Sequence, residues 1–236
     1  MARKTKAEAL ETRHQILDAA EQVFLRQGVA RTSLQQIAEA AGVTRGAVYW
    51  HFENKSALFH AMMERVLLPC ECALETAERA TAENLLQALV AMALMPLREL
   101  AQRPHVQRVF TIAMHLTEYN DELQEALQRQ REGIAEYVEA LHDTIARAQA
   151  AGLISAEQPP AVAARGLFAL IDGLMHHWTQ VPEQFDLMAV GRAGVVNWLR
   201  GQGAQAPEAV MAALDALAAL QAGQPVRGAC AAASAA

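Results

Sequence analysis

The run Ser33-Leu-Gln-Gln-Ile-Ala-Glu-Ala-Ala-Gly-Val-Thr-Arg-Gly-Ala-Val-Tyr-Trp-His-Phe constrains this chain more than any other feature. Ser33 and Gln36 have capping-box spacing, which predicts a helix from Leu34 that buries Leu34, Ile37, Ala38 and Ala41. Gly42 permits a tight turn, Val43 plugs its apolar side, and Thr44 caps a second short helix reaching Tyr49 or His51. Ala38 is small where the two helices cross closely. The layout is a helix-turn-helix whose second helix projects outward. An ordinary helical hairpin with a turn glycine shares that skeleton, so the outward side chains must separate the two readings. Arg45 can pair with a guanine edge, and Thr44, Tyr49, His51 and Lys55 can reach phosphates. Gly46 and Ala47 keep the helix face slim enough to approach a major groove.

The flanking sequence supplies more helices. Ile16, Ala20, Val23 and Phe24 repeat at helical spacing in a helix expected over 6–27, with Gly28 as its stop. Asn54 caps a fourth helix that starts at Lys55 and continues through Leu58, Phe59, Met62 and Val66, with Pro69 disturbing its far end. Further helices are expected near 82–102, 104–118, 121–151, 160–180 and 186–200, and an Ala/Leu helix over 207–221. Residues 223–236 are small and Ala-rich and read as a disordered tail. Ala, Leu, Gln and Glu dominate while β-branched runs are scarce, so the fold class is all-α. The organisation expected is a helix-turn-helix domain over 1–54, a larger helical ligand-binding and dimerisation domain over 55–204, and an extra helix and tail over 205–236.

A net charge of −6 argues against nucleic acid if taken alone. Residues 1–60, however, carry eight Lys/Arg against six Asp/Glu, and residues 61–236 carry twelve against twenty. A slightly basic head on an acidic body fits a small phosphate-contacting surface. The charged N-terminus has no apolar core of a signal peptide, and the longest apolar stretch, near 88–97, is too short to span a bilayer. Cys70, Cys72 and Cys230 form no zinc pattern and no even disulfide set. The expectation is a reduced cytoplasmic protein with no membrane partner, and a redox-sensing cysteine is the minor alternative.

Residues 8–67 resemble the N-terminal domain of TetR/AcrR-family regulators, on the string from Thr32 through Phe52 and on to Glu-Asn-Lys-Ser-Ala-Leu-Phe59. The run Gly42-Val-Thr-Arg-Gly-Ala-Val-Tyr-Trp-His-Phe52 is similar to the subgroup that represses multidrug efflux pump operons, and the opening Arg3-Lys-Thr-Lys-Ala-Glu-Ala fits it too. The resemblance implies an Ω-shaped homodimer on double-stranded operator DNA, released by an apolar small molecule bound in the body. It implies phosphate contacts from Thr32 or Ser33, Thr44, Tyr49, His51 and Lys55, with Arg45 and Ala47 facing bases. Phe168-Ala-Leu-Ile-Asp-Gly-Leu-Met-His-His-Trp178 resembles the eighth helix of the efflux repressors, with His176 and His177 where relatives often have arginine. A same-fold repressor of a metabolic or lipid-related operon is the alternative within the family.

Candidate effector-binding residues are Met92, Phe110, Met114, Ile134, Tyr137, Leu141, Phe168, Ile171, Asp172, Met175 and His176. Methionine and aromatic side chains suit a soft-walled pocket, and they equally suit plain core filling. Asp172 inside an apolar run needs a partner or a ligand if it is buried. Leu167, Leu174, Trp178, Val195, Val196 and Trp198 are expected to build a four-helix subunit interface. A metalloenzyme is the reading from a different class, because Glu11 with His14 and Glu139 with His142 have the Glu-x-x-His spacing of di-iron bundles. Glu139 falls at the edge of the stripe Ile134, Val138, Leu141, Ile145, which disfavours it. No Gly-rich phosphate loop or nucleophile elbow occurs, and no cofactor is called for.

Overall fold

In a computed structural model of the chain, residues 6–118 and 123–212 are described. Nine α-helices and one 3₁₀ turn, with no strand among the described residues, are α1 (Lys6–Gln27), α2 (Leu34–Ala40), α3 (Arg45–His51), α4 (Lys55–Glu78), α5 (Leu85–Gln102), α6 (Pro104–His115), α7 (Gln124–Ala150), α8 (Pro160–Gln180) and α9 (Leu187–Gly201), the 3₁₀ turn (Pro182–Gln184) preceding α9. A further helical segment starts at 207 and continues through 212, the last described residue. The chain divides into two compact units, residues 1–66 with 104–132 and residues 67–103 with 133–236. Thus α6 and the start of α7 group with the N-terminal helices.

In the first unit, α1 buries Ile16, Leu17, Ala20, Val23 and Phe24 along one face. Gly28 stops it with φ +79°, and its N–H bonds Phe24 O at 2.8 Å. A side chain there would be strained in that left-handed conformation and would press on Leu116 O at 3.3 Å. The next amide, Val29, donates to Leu116 O at 3.0 Å and ties the end of α6 to this turn. Helix α4 begins under Asn54, whose Oδ1 accepts from Ala57 N, and it runs past Pro69 to Glu78 instead of breaking there.

The second unit packs α5 against α8 and α9. Apolar residues cover most of α5, with Leu89, Met92, Leu97 and Leu100 fully buried. Gly191 and Gly194 let α9 come close: a Cβ at 191 would lie 2.4 Å from Leu97 Cδ1, and one at 194 would lie 3.1 Å from Leu170 Cδ2. Arg147 of α7 donates to Ala77 O and Ala80 O, satisfying carbonyls at the end of α4. Helix starts and stops differ from expectation by a few residues; α5 begins at Leu85, after an Asn84 side chain that accepts from Thr81 N. The expected tail, the remainder of the 207–221 helix, and the cysteine side chains at 70, 72 and 230 lie outside the described residues.

Three of the six interface residues expected from sequence need correction, while Leu174, Val196 and Trp198 are half-buried. Leu167, Trp178 and Val195 are buried within their own protomer, because their faces of α8 and α9 pack on each other and on α5. Trp178 Nε1 also donates to Phe185 O at 3.2 Å. The outward face of α8 carries Val162, Gly166, Ala169 and Gly173 alongside Arg165, Asp172 and His176, and that of α9 carries Val190, Ala193 and Asn197.

Candidate functional site

Backbone capping builds the recognition segment. Ser33 Oγ accepts from Gln36 N while Gln36 Oε1 accepts from Ser33 N at 2.8 Å, completing the capping box. Gly42 adopts φ +65°, and Val43 N bonds Ala38 O at 3.0 Å, which closes the turn. Gln15 of α1 donates to Ala41 O at 2.7 Å, fixing this turn to the helix beneath. Thr44 Oγ1 accepts from Ala47 N and caps α3. Only Val48 of α3 is buried, so the rest of the helix stands on the surface.

That surface is ordered before any partner arrives. Arg45 Nη2 donates to Tyr49 Oη at 3.1 Å, and its guanidinium lies 5.3 Å from the Tyr49 ring centroid. Two long side chains are thereby held together on one exposed face, which lowers the ordering cost of binding. A shallow groove of about 480 Å³ gathers Thr32, Ser33, Arg45, Tyr49 and Lys55 with Glu53 and Asn54. Gly46 and Thr44 are exposed, and Ala47 and His51 are half-buried.

Two residues in that set are occupied internally. Lys55 is only 6% exposed, and its ammonium donates to Thr32 O at 3.0 Å and Ala30 O at 3.4 Å. Thr32 is also buried, with Oγ1 donating to Gly28 O at 2.7 Å and accepting from Gln27 Nε2. Trp50 was not singled out from sequence, yet it is 72% exposed beside the Arg45–Tyr49 face. The helical period could have shown it, since burial of Val48 and Phe52 turns 49 and 50 outward.

The effector residues fall into three groups. Met92, Leu141, Ile171 and Met175 are buried, and Ile134, Tyr137 and Phe168 are half-buried, all in the second unit. The Tyr137 and Phe168 rings lie 6.2 Å apart. Tyr137 Oη donates to Met92 O at 2.7 Å. That carbonyl has no helical partner four residues on, because Pro96 has no N–H. Phe110 and Met114 lie on α6 in the first unit, and Asp172 and His176 stand exposed on α8, apart from the buried cluster.

The di-iron reading lacks its geometry. Glu11 and His14 belong to the first unit, and Glu139 in the second has a side chain 74% exposed, whereas such a site needs inward-facing carboxylates.

A capped, turn-linked helix pair with its second helix bare on the surface defines a helix-turn-helix DNA-binding protein. Comparison with known proteins agrees over most of the chain. The profile "Bacterial regulatory proteins, tetR family" matches residues 16–62, and "MAATS-type transcriptional repressor, C-terminal region" matches residues 84–201. The regulator TtgR of Pseudomonas putida is 35% identical over 188 residues, covering 80% of this chain and 90% of its own length. The crystal structure of NalD, the secondary repressor of the MexAB-OprM multidrug efflux pump in Pseudomonas aeruginosa, superposes with a TM-score of 0.75 at 37% identity, over 83% of this chain and 98% of that one. A complex of SmeT, repressor of a Stenotrophomonas maltophilia multidrug efflux pump, with triclosan has a TM-score of 0.72 at 33% identity, over 81% and 91%. The chain belongs to the TetR family of bacterial transcriptional regulators. No helix among the described residues is long and apolar enough to cross a membrane.

Proposed function

We propose that this regulator acts in the cytoplasm as a homodimer that represses a multidrug efflux pump operon and leaves its operator when an apolar, aromatic compound binds the body. The observation that carries the DNA-binding half is the exposed, preordered Arg45–Tyr49 face on a capped α3. In this reading Arg45 and Ala47 face bases, and Ser33, Thr44, Tyr49 and His51 meet phosphates. The efflux assignment draws support from relatives over 30% identical along most of their length that repress multidrug efflux pumps, one of them solved in complex with the aromatic compound triclosan.

Two recognition helices must enter successive turns of the major groove, so a dimer of fixed spacing is required. We assign its surface to the exposed small-residue stripe Val162, Gly166, Ala169 and Gly173 of α8 with Val190, Ala193 and Asn197 of α9. Small residues at spacings of three and four let a second copy approach closely. The effector would settle against Phe168 and the half-buried residues around it. It can act only by binding the DNA-incompetent arrangement better than the competent one. A coupling of about 1–3 kcal/mol corresponds to a roughly 5- to 150-fold loss of operator affinity. Helix α4 is the proposed lever, since it starts at Lys55 beside the recognition segment and continues to Glu78.

The test is operator binding to the chain's own upstream fragment, titrated with triclosan as probe, for the wild type and Phe168→Ala. Expected is a loss of affinity with triclosan that Phe168→Ala blunts while drug-free binding stays intact. Unchanged affinity with every body-binding aromatic, or loss of all DNA binding in Phe168→Ala, would contradict the effector half.

A further inference from the structure

Glu21 is a carboxylate placed where α1 should carry a hydrophobe. It shares the inward face with Leu17 and Phe24, four residues before and three after, and it is 1% exposed. Two arginines and a histidine from two other helices meet it. Arg65 of α4 approaches Oε1 at 3.3 Å and also pairs with Asp18 at 2.7 Å. From α6, His105 Nδ1 lies 2.9 Å from Oε1 and 3.0 Å from Oε2, and Arg108 Nε donates to Oε2 at 3.3 Å.

A buried carboxylate without compensation is strongly disfavoured, whereas a well-packed apolar group of similar volume would serve stability as well or better. What the ionic cluster adds is register: the charge is fully compensated only while α6 presents His105 and Arg108 at one position along α1. A slide of α6 by a fraction of a turn would leave Glu21 with Arg65 alone, which Asp18 shares. These two residues of α6 lie on its first two turns, directly after the chain passes from the second unit into the first at 103–104. At its far end α6 is held to α1 again, through Val29 N and Leu116 O. That contact falls on the Gly28–Ser33 turn, whose carbonyls also accept from Lys55 and which leads straight into the α2 cap.

We infer that Glu21 is a positioning residue for DNA recognition: it latches α6 in register on α1 and so fixes the turn that presents the Ser33 end of the recognition segment. This rests on the reading that the first unit binds DNA, and the exchange measurement below stands apart from that reading.

The test uses the full chain as wild type, Glu21→Gln, and the double variant His105→Gln/Arg108→Gln. Amide hydrogen exchange is followed by mass spectrometry, and binding to the upstream fragment is titrated at several salt concentrations. Expected in both variants is exchange over 104–117 faster by about tenfold or more, with α8 and α9 unchanged. DNA affinity should fall while the salt slope stays at the wild-type value, since no phosphate contact is lost. Combining all three substitutions should cost little beyond Glu21→Gln, because the partners act as one unit. Exchange over 104–117 within about twofold of wild type in both variants overturns the latch, whatever the DNA result. Faster exchange with unchanged DNA affinity overturns its role in recognition, and a reduced salt slope means these residues touch DNA instead. Should Glu21→Gln not fold, the double variant decides alone, since Arg65 still faces Glu21 there.

Discussion

The two units of this molecule are built by different means. The first leans on polar detail: a capping box at Ser33, a left-handed glycine at 42, a threonine cap at 44, a buried lysine on two carbonyls and a buried carboxylate among two arginines and a histidine. The second leans more on shape, with leucines, methionines and alanines filling space and glycines at 191 and 194 letting α9 close on its neighbours, beside a few buried bonds from Tyr137, Arg147 and Trp178. Polar contacts are directional and pairwise, so they fix a surface that must match DNA atom by atom. Apolar packing is non-directional and tolerates exchange of residues at similar volume, which suits a body that accommodates ligands of varied shape.

The sharpest way to break this contrast is to put charge on the outer stripe of the second unit. Gly173→Arg should leave the protomer folded but split the dimer, and losing the second half-site should weaken operator binding by roughly 10²-fold or more. Sedimentation with a DNA titration checks both, and a dimer unaffected by the arginine removes this stripe from the interface. In the first unit, Arg45→Ala should cost about 1–3 kcal/mol on the upstream fragment and much less on scrambled DNA. Tyr49→Ala should weaken both DNAs alike and lower the salt slope by about 1, as expected for one lost phosphate contact. Back in the second unit, Tyr137→Phe leaves the Met92 carbonyl without its donor and should destabilise the fold by about 1–2 kcal/mol in a denaturant melt. No change there would mean that the hydroxyl is not what satisfies the Pro96 break. Thr44→Ala is the smallest effect, about 1 kcal/mol of lost capping, read as reduced stability of the first unit.

How much the sequence disclosed follows the same division. The Ser33 and Thr44 caps and the Gly28 and Gly42 turns were legible because each is a local rule linking residues a few positions apart. For Lys55 the sequence was incomplete, since only the fold shows that its ammonium donates to the Thr32 and Ala30 carbonyls. Glu21 carried a signal, a charge inside the stripe from Ile16 to Phe24, but its partners are 44 to 87 residues away. In the second unit, helix existence was clear from composition, while the faces were not. Leu167, Trp178 and Val195 look like interface residues until α5 is seen to occupy that side, because small and apolar residues recur on the outer side of α8 and α9 as well.

The central claim is that the first unit reads a specific operator through α3. Its most direct test is equilibrium binding of the full chain to its own upstream fragment and to a scrambled fragment of equal length, at near-physiological salt. The account predicts tighter binding to the upstream fragment by roughly 10³-fold or more, with about 1–3 kcal/mol of that discrimination lost in Arg45→Ala. Equal affinity for the two fragments would contradict it.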